Sequence, residues 1–304
     1  MCIAIATTEH PDYPFILLSN RDEYFKRPTM PVHFRTIEGD VKLLSPLDLA
    51  RPEHGTWIGV TTSGKVAVLV NYHELDNNRE VSRGVLPLAY LCSNESDDEW
   101  REGIKRELSK IGGFSLLYGK LSLNPETGKI DTLNILSNRG KHGKIFETCD
   151  YDELIHDEIQ HKSTFGLSNS LYNQPWKKVA IGEDLLKDLM KEAANNCYSQ
   201  EEVVEKCFEL LSHDTYNREV AQTKDFDAKL MELRNSVFIP PLQRSGSNPN
   251  CVAVGKYYGT RTQTIILLDK EGNLNYYEKN IYTSDNLEKD DEVAHYKFNI
   301  FQSK

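Results

Sequence analysis

Met1-Cys2-Ile3-Ala4-Ile5-Ala6-Thr7, then Phe15-Ile16-Leu17-Leu18-Ser19-Asn20-Arg21-Asp22-Glu23, open this 304-residue chain. Ile3 to Thr7 reads as a short buried strand and Phe15 to Ser19 as a second. Pro11-Asp12-Tyr13-Pro14 supplies the turn between them. Apolar runs joined by a turn in this way favour antiparallel neighbours. Cys2 heads the first run, and the polar tetrad Asn20 to Glu23 sits at the exit of the second. Position alone gives Cys2 two readings. It is an ordinary buried strand cysteine, since Cys is among the most buried residue types. Or, once Met1 is removed, it carries a thiol and a free α-amine on one residue, which makes a nucleophile with its own base. An α-amine titrates near neutral pH and can take a thiol proton.

Further along, Thr56 to Thr61 and Lys65 to Val70 read as a hairpin through Thr62-Ser63-Gly64. Gly84 to Leu91 and Asp97 to Lys110 read as helices, and Gly112-Gly113 ends the second. Strands are expected at Phe114 to Leu121, Leu133 to Ser137 and around Phe165 to Ser168. Helices follow over Trp176 to Asn195, Gln200 to Leu211 and Asp225 to Leu233. Two closing strands, Thr262 to Leu268 and Leu274 to Glu278, flank a turn at Asp269 to Gly272. Strands at both chain ends with helices between them favour antiparallel sheets over βαβ units. Gln243 to Asn250 reads as a mobile loop and Ser284 to Asp291 as a solvated acidic surface.

The net charge of −10 argues against nucleic acid as a partner and against docking on anionic membranes. No apolar stretch approaches a membrane span, and a secretory signal is not expected. The six cysteines are scattered, with no CxxC pair and no zinc spacing, and five of them read as reduced structural cysteines. No metal is expected, and the cytoplasm is the expected compartment.

Four consecutive polar residues at a buried strand end are costly unless paired. With the first two strands antiparallel, Arg21 and Asp22 lie close to Cys2. A cation there would lower the thiol pKa, and a carboxylate could orient the α-amine. The same residues equally make a local structural Arg–Asp network. Asn71, after Val70, and Asn169, in Gly166-Leu167-Ser168-Asn169-Ser170, are amides able to stabilise an oxyanion, or plain turn and cap residues. Arg261, just before a strong strand, can bind a carboxylate or be a solvated surface group.

Asn20-Arg21-Asp22-Glu23 with Arg27-Pro28 resembles the signature of the NRDE family, the transport and Golgi organisation protein 2 family. Gly55-Thr56-Trp57-Ile58-Gly59, Ser82-Arg83-Gly84 and Phe165-Gly166-Leu167-Ser168-Asn169 agree in order. So do Gln174-Pro175-Trp176-Lys177-Lys178-Val179, Ser236-Val237-Phe238-Ile239 and Tyr258-Gly259-Thr260-Arg261-Thr262-Gln263-Thr264. The resemblance spans nearly the whole chain and implies one domain over residues 1–304. It implies an α+β fold of the N-terminal-nucleophile hydrolase type, an αββα four-layer sandwich of two antiparallel sheets flanked by helices. It further implies Cys2 as nucleophile, Arg21 and Asp22 beside it, Asn169 and more weakly Asn71 as oxyanion donors, and Arg261 in support. The spacing within the Arg21–Asp22 pair is tighter than in the acylases of that superfamily. The family carries no settled reaction. It is linked with haem mobilisation, lipid and acyl-CoA homeostasis and Golgi organisation, so two expectations stand side by side. One is a hydrolase of non-peptide amide or thioester bonds needing no catalytic cofactor. The other is a non-enzymatic carrier of haem, an acyl-CoA or another lipid metabolite in the same cleft, in association with mitochondria or Golgi.

Overall fold

A computed structural model describes residues 2–37, 42–73, 81–124, 126–139, 162–244 and 255–301. The expected loop at Gln243 to Asn250 falls mostly outside them, as do Cys149 and Cys251.

The strands in chain order are β1 (Cys2–Thr7), β2 (Phe15–Tyr24), β3 (Thr29–Thr36), β4 (Lys42–Asp48), β5 (Ile58–Thr61) and β6 (Lys65–Asn71). After helices α1 (Val85–Leu91) and α2 (Asp97–Ile104) and a 3₁₀ turn (Lys105–Lys110) come β7 (Phe114–Lys120), β8 (Asn134–Ser137) and β9 (Thr164–Ser168). Then come α3 (Lys177–Asn196), α4 (Gln200–Leu211), α5 (Arg218–Gln222) and α6 (Phe226–Glu232). The chain closes with β10 (Leu242–Gln243), β11 (Tyr257–Leu268), β12 (Asn273–Asn280) and β13 (Val293–Asn299).

Two antiparallel sheets result. The first has the order β13-β12-β11-β2-β1-β9, with β10 beside β11; the second runs β3-β4-β5-β6-β7-β8. Period-two alternation on β1 and β2 sorts the side chains into two cores. Ala4, Ala6, Phe15 and Leu17 face the second sheet, against Val32, Leu44, Val66 and Leu117. Ile3, Ile5, Ile16 and Leu18 face the other way, against Val179, Leu186 and Met190 of α3 and Val203 and Cys207 of α4. A third core packs Leu43, Ala67 and Leu116 of the second sheet beneath Leu86 and Tyr90 of α1 and Trp100 of α2. Helix, sheet, sheet, helix is the expected four-layer order.

Three expectations change. The tetrad Asn20 to Glu23 does not follow β2 but lies inside it, because β1 pairs on one side and β11 on the other through those residues. Its polar groups are met by the layers around it: Asn20 Nδ2 donates to the Leu211 and Val237 carbonyls at 2.7 and 2.9 Å. The helix expected to run to Lys110 ends at Ile104 and tightens into the 3₁₀ turn. Strands β3, β4 and β13 were not expected. β3 and β13 are sheet edges, and β3 carries a bulge around Pro31, while β13 sets only Ala294, Tyr296 and Phe298 against the core, between polar or exposed neighbours.

Candidate functional site

The site forms where strand ends from both sheets meet. Cys2 begins β1, and its Cα partner across the pair is Arg21. Both residues follow the parity of Ala4, Ala6, Phe15 and Leu17, so both side chains face the space between the sheets. From the second sheet, β4 ends at Asp48 and β6 at Asn71, with Trp57 just ahead of β5. These groups line a cavity of about 280 Å³ together with Glu23, Arg27, Arg51, Ser82 and Arg83.

Asn169 directly follows β9, which pairs with β1 in a register matching Ile3 to Ser168. That places its side chain at the head of β1. Asn169 Oδ1 accepts from the Cys2 nitrogen at 2.6 Å, and its Nδ2 donates to the Asn71 carbonyl. One amide thereby ties the first sheet's leading residue to the end of β6. Asn71 itself is exposed at the cavity wall.

Arg21 is buried, and its guanidinium lies 4.0 Å from the Trp57 ring centroid. Its Nη2 donates to Asp48 Oδ2 at 2.9 Å, and Arg27 Nε donates to the same oxygen at 2.7 Å. Burial pushes the Asp48 carboxyl up, but the hydrogen bond from Arg27 and the charges of Arg21 and Arg27 leave it below the usual carboxylate value. Burial opposes the charge on Arg27, yet Glu23 and Asp48 raise its pKa overall.

Asp22 has the opposite parity. Its carboxylate accepts from Thr260 Oγ1 at 2.7 Å and pairs with Lys178 Nζ of α3 at 3.3 Å, both side chains fully buried. Asp22 borders the cavity, but these carboxylate bonds lie toward the helix layer, and Asn169 accepts from the Cys2 nitrogen. Arg261 is the extra residue of a β-bulge in β11, between Thr260 opposite Asp22 and Thr262 opposite Arg21. It reaches the Arg27 carbonyl and Thr29 Oγ1, the latter at 2.9 Å, and is not among the residues lining the cavity. Burial and the neighbouring Arg21 push its guanidinium down to about 10, which leaves it charged at neutral pH.

The structure therefore brings Cys2, Arg21, Asn71 and Asn169 together, sets Arg261 behind Arg21, and gives the Asp22 carboxylate a buried cation. Asp48 and Lys178 were not expected at the site. Asp48 showed in the sequence only as a lone charge ending an apolar run, at Pro46-Leu47-Asp48, whereas Lys178 stood in the family-like stretch Gln174 to Val179 without a role assigned to it. A larger groove of about 550 Å³, between α4 and β12 with β13, shares no lining residue with this cavity. Among the described residues no cluster of His, Cys, Asp and Glu is placed to hold a metal, and no helix is long and apolar enough to cross a membrane.

Fold and site define a four-layer αββα protein with a cysteine at the head of its first strand, opening on a polar inter-sheet cleft. The chain belongs to the Transport and Golgi organisation 2 family, whose family model matches residues 1–283. An uncharacterised protein of Saccharomyces cerevisiae is 31% identical over 94% of this chain and 93% of its own length. The human Transport and Golgi organization protein 2 homolog is 29% identical over 90% of this chain and 88% of its own. Among solved structures, a conjugated bile acid hydrolase from Clostridium perfringens aligns at 12% identity and a TM-score of 0.38, over 99% of this chain and 98% of that one. A penicillin V acylase from Agrobacterium tumefaciens aligns at 10% identity and the same TM-score, over 99% and 87%.

Proposed function

We propose that this protein hydrolyses a non-peptide amide or thioester through Cys2 acting as an N-terminal nucleophile. The observation that carries the reading is the 2.6 Å bond from the Cys2 nitrogen to Asn169 Oδ1, in a cleft that also exposes the thiol to Arg21. With Met1 removed, that nitrogen is the α-amine, and Asn169 fixes its direction. The amine takes the thiol proton as Sγ attacks the carbonyl carbon. It returns the proton to the leaving amine or thiol as the scissile bond breaks. Water then attacks the acyl–Cys2 thioester, giving up a proton to the amine and releasing the acid and free Cys2. The second hydrogen of Asn169 Nδ2 and the Asn71 amide are the candidate oxyanion donors. Arg21 stabilises thiolate and developing charge, with Arg261 behind it. Asp22, paired to Lys178, holds β2 in place rather than orienting the amine. No cofactor enters these steps.

The test is intact mass followed by turnover. The expected mass is short by one methionine, and Cys2→Ala abolishes hydrolysis of amides and thioesters while keeping the wild-type unfolding midpoint. Retained Met1, or turnover in Cys2→Ala, removes the mechanism.

The second reading is carriage of haem, an acyl-CoA or another lipid metabolite in the same cleft without turnover. The relatives' names, which speak of transport and organisation and not of a reaction, favour it. Saturable haem binding with a Soret shift, lost in Cys2→Ala and yielding no product, would replace the hydrolase by the carrier. For either reading we place the protein in the cytoplasm in association with mitochondria or Golgi, a location that cell fractionation tests.

A further inference from the structure

Lysines outnumber arginines in this chain by 23 to 13. Yet, among the described residues, the basic side chains lining the cleft beside Cys2 are Arg21, Arg27, Arg51 and Arg83, with no lysine. A solvated rim takes either residue. A planar guanidinium fork is the better choice where two oxygens of one carboxylate or phosphate must be met together. The concentration is also local. In a chain of net charge −10 the described lining of this cavity sets four guanidiniums against three carboxylates, Asp22, Glu23 and Asp48, a local excess of cation that a concave site amplifies.

These arginines are held, not trailing in solvent. Arg21 lies against Trp57 and is fastened through Nη2 to Asp48, while its buried Nη1 has no acceptor among the described residues. A desolvated donor of this kind is costly without an acceptor, and an oxygen of a ligand in the cleft would supply one. Arg51 pairs with Glu53 at 3.3 Å, and Glu53 also accepts from the Ser82 nitrogen at 3.2 Å, beside Arg83. The two loops bearing Arg51 and Arg83 cross at Gly55 and Gly84, where the Thr56 nitrogen donates to the Gly84 carbonyl at 3.0 Å. A Cβ on Gly55 would stand 2.5 Å from the Gly84 carbonyl carbon. The crossing fixes both arginines over the cleft that Arg21 floors.

We propose that this arginine-lined cleft binds an oxyanion of the ligand, a carboxylate or a phosphate, on Arg21 with Arg51 and Arg83. The molecule that meets Cys2 thus carries its anionic group a few bonds from the atom facing the thiol. For the chemistry at Cys2 this rests on the hydrolase reading, whereas the anion site itself requires no turnover.

The test uses the full chain and two alkylating probes of nearly equal size, iodoacetate and iodoacetamide, with modification of Cys2 followed by peptide mass. Cys197, exposed on the surface, is the internal control. The expected result is saturable iodoacetate modification, with an iodoacetate-to-iodoacetamide rate ratio at Cys2 at least about tenfold above that at Cys197, equivalent to about 1.4 kcal/mol of binding preference. Arg21→Gln and, separately, Arg51→Gln lower the ratio toward the control value. Arg51 stands on a half-exposed loop, so its variant serves should Arg21→Gln fail to fold. Protection of Cys2 from iodoacetamide by acetate assigns a carboxylate, and protection by inorganic phosphate assigns a phosphate. A Cys2 ratio equal to that of Cys197, a preference unchanged in both variants, or protection by neither anion overturns the proposal. An iodoacetate preference without hydrolysis of any anionic amide or thioester keeps the anion site and removes the hydrolase.

Discussion

Asp48 is one carboxylate serving two guanidiniums, and two titrations at this scale have opposite signs. Asp48→Asn leaves Arg21 and Arg27 without their anion. The expected loss is about 2–3 kcal/mol, below the value for a fully buried pair because Asp48 keeps some contact with solvent. Urea denaturation at neutral pH measures it. The folded-state pKa of Asp48 is depressed, so its stabilisation is present above the unfolded value of about 3.9 and is lost as pH falls through the folded one. Wild-type and variant stabilities should therefore converge in acid. Glu278 runs the other way. Its Oε1 accepts from the Val32 nitrogen at 2.9 Å and from Asn280 at 3.0 Å, and burial pushes its carboxyl above the ordinary value. Its favourable contribution is full below the unfolded pKa of about 4.3 and is lost as pH rises through the folded one. Glu278→Gln, which keeps Oε1, should gain on the wild type as pH rises from 4 to 7, as read by unfolding midpoints across that range.

Among the elements, the loops around Gly55 and Gly84 carry a requirement that their strands do not. Gly55→Ala sets a methyl against the backbone of Gly84, and neither loop can yield without breaking the Thr56 to Gly84 bond. The expected cost is about 1–3 kcal/mol, as for overpacking in a core. Thermal unfolding gives the cost, and the cleft's affinity for anions should fall with it. Elsewhere, the limits of one helix were legible because their chemistry is local. Gln200–Leu211 begins at Ser199, whose side chain and that of Glu202 cap each other's backbone, and it ends where its apolar spacing ends. β3 and β4 were not legible. Pro31 and Pro46 interrupt them, and their pairing partners are set by the rest of the sheet.

Across the whole molecule, the Asp22–Lys178 pair joins β2 of the first sheet to α3 of the helix layer, with both side chains fully buried. Lys178→Met strands a buried carboxylate. It should cost about 3–5 kcal/mol by denaturant titration, and replacing Asp22 as well by an apolar residue should recover part of that loss. The residue types of the site, Cys2 at the head of an apolar strand with an arginine and a carboxylate across the turn, were written in the first twenty-four positions. Strand periodicity and the pairing of neighbouring runs act over short stretches of chain, so the sequence by itself favoured antiparallel sheets and Arg21 close to Cys2, while the two-sheet, four-layer class came from the family resemblance of its linked motifs. Which carboxylate meets which cation was decided by tertiary structure. Parity on β2 sends Arg21 inward and Asp22 outward once β11 has paired alongside. The end of β4 then brings Asp48 to Arg21, α3 brings Lys178 to Asp22, and the end of β9 brings Asn169 to the Cys2 nitrogen. Those partners stand 27, 156 and 167 residues apart along the chain. Bonds between residues so distant in sequence exist only after the layers have closed, because no local preference of the chain encodes them.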